Sequence, residues 1–204
     1  MIKNIIFDFG DIFINLDKLG TYKELSKLGV SSVSEDMISI YHQYEKGLIS
    51  TGDFVDFYQQ KFPHLKSEEL IFSWNAVLKD FPKYRLDFIK ELAKSKEFRL
   101  FLLSNTNDLH INWIQENWGI KMYNEFKKCF EQFYLSHEIN FRKPDTEIYE
   151  FVLNENNLKA SETLFVDDLN ENTVAAENLG INTWNLIPDE EDVVDLFTKN
   201  AILF

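Results

Sequence analysis

The 204-residue chain carries 21 Lys and Arg against 34 Asp and Glu, a formal net charge of −13. Such an acidic balance excludes binding of nucleic acid or an anionic membrane through a basic face. Hydrophobic residues make up 45% of the chain, which excludes a disordered polymer, and the single Cys129 excludes a disulfide framework or a thiolate zinc cluster.

The first apolar run, Asn4 to Phe7, is too short for a signal-peptide core or a membrane span, and no later run is long enough either. A cytoplasmic globular protein is expected, and the run itself suits a buried strand. From about Asp17 to Lys83 the signals are helical only. Ser50 or Thr51 caps a helix carrying Phe54, Phe57 and Tyr58, and Ser67 ahead of Glu68 and Glu69 reads as a second N-cap. A crossover between parallel strands needs one helix, so an interval of roughly seventy residues indicates an inserted helical module.

A second strand runs from Arg99 to Leu103, followed by a helix from Asn107 to Trp118 that stops at Gly119. The third strand covers Glu131 to Leu135, and Pro144 opens a helix with Ile148, Phe151 and Val152 at helical spacing. The fourth strand, Thr163 to Val166, leads to a helix from Asn170 to Leu179 that ends at Gly180, and Ile181 to Leu186 closes the series. Strands alternating with helices make an α/β fold with a parallel sheet. The acidic run Asp189 to Asp192 reads as solvated charge opening the last helix.

The strand ends carry the chemistry. Asp8 follows the first strand, Ser104 and Asn105 the second, Lys143 the third, and Asp167 with Asp168 the fourth. Parallel strands bring all of these to the carboxyl edge, where open sheets bind ligands. Like charges about 4 Å apart repel by roughly 4 kcal/mol at an effective dielectric of 20, so three carboxylates call for a cation among them. Oxygen-only ligands favour Mg²⁺. A hydroxyl, backbone N–H groups and a lysine beside it suit a phosphoryl group. Locally, Asp8 also fits an ordinary turn and Asn107 a helix cap. Lys143 is less easily a bystander, because a cation before a helix N-terminus is unfavourable unless an anion lies close.

Four segments, IIFDFGD at residues 5–11, FLLSNTN at 101–107, RKPDTEIY at 142–149 and LFVDDLNENTVAAENLG at 164–180, together resemble the haloacid dehalogenase (HAD) superfamily, phosphatase branch. The stretch YEKGLIS at 44–50 is similar to the cap helices of bacterial glucose-1-phosphatase-like proteins. The resemblance implies a Rossmann-like core of residues 1–14 and 88–204 with a helical cap of residues 15–87. It also implies Asp8 as nucleophile and magnesium ligand, and Ser104 and the Asn105 backbone as holders of phosphoryl oxygens. Lys143 would neutralise nucleophile and phosphoryl group, and Gly10, through its carbonyl, with Asp167 and Asp168 would complete the magnesium shell. Substrate would be a small phosphorylated metabolite, sugar phosphates being the leading class.

Gly10 departs from the family pattern, which has a second Asp there as general acid/base. Its absence costs on the order of 10²–10⁴ in rate unless the alcohol leaves readily. Asp11 stands one position too far along to inherit the role. Three rivals share parts of this constellation. A 2-haloacid dehalogenase uses the same nucleophile without metal, which would leave Asp167 and Asp168 unneutralised. A catalytically impaired homologue would bind phospho-ligands without turnover. A phospho-accepting receiver domain carries its acidic pair after the first strand rather than the fourth.

Overall fold

A computed structural model describes all 204 residues. Five strands alternate with helices: β1 (Asn4–Phe7), then α1 (Gly20–Lys27), α2 (Glu35–Glu45), α3 (Thr51–Lys61), α4 (Ser67–Asn75) and α5 (Lys83–Ser95), and next β2 (Arg99–Ser104). The chain continues through α6 (Asp108–Trp118), α7 (Ile120–Lys127), β3 (Gln132–Leu135), α8 (Ser136–Ile139) and α9 (Thr146–Glu155). It closes with β4 (Thr163–Asp167), α10 (Asn170–Glu177), β5 (Asn182–Asn185) and the short α11 (Leu196–Lys199). The expected α/β fold with a parallel sheet and a helical insertion is what forms. The strands are all parallel in the order β3-β2-β1-β4-β5. No helix is long and apolar enough to cross a membrane.

The sheet places β1 at its centre, and its register carries the site. Phe7 pairs with Leu102 and with Val166, so the next residue, Asp8, sits level with Asp167 at the end of β4. The Asp8 N–H donates to the Val166 carbonyl at 2.9 Å, extending the ladder by one residue. Phe7 and Phe9 on either side are buried among aromatic rings, with Phe9 stacked on Phe126 at 5.1 Å and Phe7 edge-on to Phe13 at 5.4 Å. Asp8 is thus held at the sheet edge by apolar burial of both its neighbours.

The apolar side chains divide into separate clusters. Leu25, Val30, Met37, Tyr44, Phe54, Tyr58, Leu70 and Trp74 form the insertion's own core. Leu78, Phe81, Leu86, Ile89 and Leu92 pack instead with one face of the sheet. The helix α5 buries its apolar face on the sheet. Some details differ locally. Lys66 rather than Ser67 precedes α4, because Glu69 closes that cap by accepting the Lys66 N–H at 3.0 Å. Pro144 stays outside α9, which starts at Thr146. Gly119, at φ +87°, turns the chain directly into α7, a helix the spacing had not announced. The Asp189–Asp192 run is not simply solvated: Asp192 pairs with Arg85 at 2.8 Å and Glu191 with Lys199 at 2.7 Å.

Candidate active site

The carboxyl edge gathers the expected residues. One oxygen each of Asp8, Asp167 and Asp168 lies within 4.8 Å of the others. Lys143 reaches both sides of the cluster, its Nζ donating to Asp8 Oδ1 and to Asp167 Oδ2 at 2.6 Å each, with its side chain 1% exposed. Burial pushes the Asp8 carboxyl up to about 7; Lys143 opposes the rise and Asp167 and Asp168 add to it. Burial alone would depress Lys143, but Asp167 and Asp8 hold it above the ordinary lysine range. Burial likewise raises Asp168. The cluster is crowded anionic chemistry with one internal cation.

The acceptors are not equally committed. Asp167 Oδ1 accepts from the Leu169 N–H at 2.9 Å and Asn172 Nδ2 at 3.0 Å, and Oδ2 accepts from Lys143 and from Asn172 at 3.1 Å. Asp8 Oδ2 has no such donor and lies on the Gly10 side, 3.8 Å from where a Gly10 Cβ would stand. Asp168 is engaged only by Lys18 Nζ, at 2.6 Å. The Gly10 carbonyl accepts one N–H, from Ile12 at 2.6 Å, and keeps a second lone pair. This donor set of carboxylates and a carbonyl fits a hard divalent cation such as Mg²⁺. The free positions belong to Asp8, Asp168 and Gly10, while Asp167 is bonded on both oxygens.

Asn105 works differently from its neighbour. Its Oδ1 accepts the Lys143 N–H at 2.9 Å and its Nδ2 donates to the Lys143 carbonyl at 2.8 Å, a reciprocal clamp that positions the lysine. Only its backbone is free for an anion. Ser104, buried at the end of β2, makes no side-chain hydrogen bond within the protein, so its hydroxyl remains available.

Several contributors were invisible to sequence reasoning. Asn172, in the first turn of α10, anchors Asp167. Lys18, in the turn just ahead of α1, bridges Asp168 and, at 3.2 Å, Asp11. Asp11 has its other oxygen on the Leu16 N–H at 3.0 Å and takes a left-handed φ of 52°, so it serves the turn rather than the nucleophile. The YEKGLIS stretch proves to be the edge by which the insertion docks beside Lys143. Arg142 Nε donates to Glu45 Oε2 at 3.0 Å, Lys46 pairs with Asp145 at 2.6 Å, and Asn140 donates to the Lys46 carbonyl at 2.7 Å. A Cβ on Gly47 would fall 2.0 Å from the His137 carbonyl oxygen, so only glycine permits this approach. Glu45 accepts the Tyr41 hydroxyl on its other oxygen.

This arrangement can be set beside known proteins. A D-ribitol-5-phosphate phosphatase from Bacteroides thetaiotaomicron is 29% identical over 195 residues, covering 90% of this chain and 91% of that one. A sesquiterpene phosphatase from Aspergillus oryzae is 27% identical, over 88% of this chain and 87% of its own. The crystal structure of a HAD family enzyme from Bacteroides thetaiotaomicron, in complex with magnesium and inorganic phosphate, superposes with a TM-score of 0.81 at 32% identity, covering 97% of this chain and 100% of that chain. The haloacid dehalogenase-like hydrolase family matches residues 2–180. With residues 2–180 matched by that family, the chain belongs to the haloacid dehalogenase-like hydrolases.

Proposed function

We propose that the protein is a magnesium-dependent phosphomonoester hydrolase that acts on a small phosphorylated metabolite through an aspartyl-phosphate on Asp8. The observation that carries this reading is the buried Asp8–Lys143–Asp167 bridge beside the half-free Asp168, since a carboxylate held this way is both neutralised and aimed. Asp8 attacks phosphorus, a bond forms between its oxygen and phosphorus, and the ester oxygen departs with the alcohol. Water then attacks the acyl phosphate, inorganic phosphate leaves, and Asp8 is restored. Lys143 opposes protonation of Asp8 and faces the phosphoryl charge. The Ser104 hydroxyl and the Asn105 N–H supply donors to the phosphoryl oxygens. Asp8, the Gly10 carbonyl, Asp167 and Asp168 would hold Mg²⁺, and the ion would supply charge neutralisation of the phosphoryl group.

The absence of an acid at Gly10 supports an alcohol that leaves without a proton from the protein. A Cβ there would meet only the tip of the Leu16 side chain, Cδ1 at 2.8 Å, which can turn aside. The curated relatives act on a sugar-alcohol phosphate and a sesquiterpene phosphate. Sugar phosphates, the class suggested by the sequence, and apolar esters are the two candidate groups.

A phosphate-release screen over many phosphomonoesters, with Mg²⁺ and with a chelator, tests the reading. Metal-dependent release is expected; chloride or fluoride release from 2-haloacids unaffected by chelator would replace it with the dehalogenase. A pH test addresses the metal site. The folded Asp8 pKa of about 7 lies above its unfolded value near 3.9, so the metal-free protein loses stability as pH rises through about 7. A cation between the carboxylates offsets this loss. The rise in melting temperature on adding Mg²⁺ is thus expected to be larger at about pH 8 than at about pH 6. Equal shifts would remove Asp8 from the ligand set.

A further inference from the structure

We propose that an apolar cavity inside the helical insertion is the leaving-group subsite, and that it takes a ring-bearing, predominantly apolar alcohol rather than a polyol; this rests on the phosphatase reading above. The cavity measures about 210 Å³ between α1, α2, α3 and α4, and nine of its eleven lining residues are hydrophobic. Leu25, Met37, Tyr58 and Trp74 form its buried wall. Space of about 150 Å³ with comparable lining holds a benzene ring, so this one has room for a fused ring.

Its place relative to the site comes from two of its lining residues. Lys18 contributes its stem to the cavity while its ammonium sits on Asp168 and Asp11, so cavity wall and acidic cluster are one lysine side chain apart. Tyr41 also lines the cavity, and its hydroxyl joins Glu45, which pairs with Arg142 beside Lys143. Cavity and acidic cluster thus share Lys18 as a common wall.

The polar atoms of the lining argue against a sugar. Those of Lys18, Thr21, Tyr22 and Tyr41 are already bonded within the protein. The Trp74 Nε1 is buried without a partner and the Tyr58 hydroxyl makes no hydrogen bond, enough for a single ligand oxygen. Each further hydroxyl of a polyol would lose its water and gain nothing. At the outer lip, Tyr22, Val33 and Ile38 are 49%, 58% and 45% exposed, an unusual concentration of open apolar surface that continues the cavity outward. An aryl alcohol also departs without a general acid, which matches Gly10. Lys18 lines a second, polar cavity of about 610 Å³ with Asn15, Asp17, Lys79 and Arg85, where a polyol would be received instead.

The test compares kcat/KM of the magnesium-loaded protein for 1-naphthyl phosphate, ribose 5-phosphate and acetyl phosphate, which is too small to need either cavity. At least about a tenfold preference for the naphthyl over the ribose ester is expected. Ile38→Glu and, separately, Val33→Asp are expected to lower the naphthyl-to-acetyl ratio of kcat/KM by about tenfold, through KM rather than kcat. Preference for ribose 5-phosphate, or a ratio indifferent to both substitutions, overturns the subsite while leaving the phosphatase standing. Failure to hydrolyse any of the three, acetyl phosphate included, overturns both.

Discussion

Asp8→Asn is expected to slow phosphate release by roughly 10⁴- to 10⁶-fold, the scale seen when a covalent nucleophile is removed. The side chain keeps its shape but loses the oxygen that would bond to phosphorus. Its fold should survive, because Lys143 retains Asp167 as a buried partner at 2.6 Å. At neutral pH the substitution also removes a carboxyl that burial has pushed up to about 7, so the metal-free variant should unfold no earlier than its parent. Stability and activity therefore move in different directions, and a phosphate-release assay paired with thermal unfolding separates them. Residual turnover above about a hundredth of the parent's would mean that another group attacks phosphorus.

Lys143→Met should cost about 3–5 kcal/mol of stability in the absence of metal, as expected when one member of a buried ion pair is removed. Methionine fills nearly the same volume, so the loss is electrostatic rather than a cavity. Asp8 and Asp167 would then face each other with no cation between them, and Asp168 would add to the repulsion. Added Mg²⁺ should restore part of the loss by supplying the missing positive charge, a recovery with no counterpart for an apolar cavity. Urea unfolding with chelator and with Mg²⁺ measures both effects. A variant within about 1 kcal/mol of its parent under chelation would show that the bridge contributes little. Turnover should fall as well, since the amine no longer faces the phosphoryl charge.

Much of the fold was legible because its signals are local. Short apolar runs separated by amphipathic helices and stopped by glycines announce parallel strands, and five strands appear within a residue or two of where those runs lie. Asp8 and the pair Asp167 and Asp168 stood out because they end apolar runs, and Lys143 because it precedes a helix N-terminus. The helix caps at Ser50 and Asn107 were readable for the same reason, each oxygen accepting an N–H three residues on, from Asp53 and His110 at 3.1 Å. One local reading missed: Ser67 looked like a cap, but Glu69, two positions later, closes that cap on the Lys66 N–H.

The sequence by itself determined the charges of the sheet edge: Asp8 after the first strand, the acidic pair Asp167 and Asp168 at the fourth, and Lys143 to answer them. Covalent order and hydrophobic period are enough for that, since parallel strands of matched length necessarily present their carboxyl ends together. Only the tertiary structure decided how those groups share their bonds. Asn105 clamping the Lys143 backbone, Lys18 reaching Asp168, and Glu45 meeting Arg142 across 97 positions are encounters between distant segments. Hydrogen-bond partners at such separations follow from how helices pack and not from any spacing along the chain. The hollow inside the insertion belongs to the same class, because a cavity is what packing leaves unfilled.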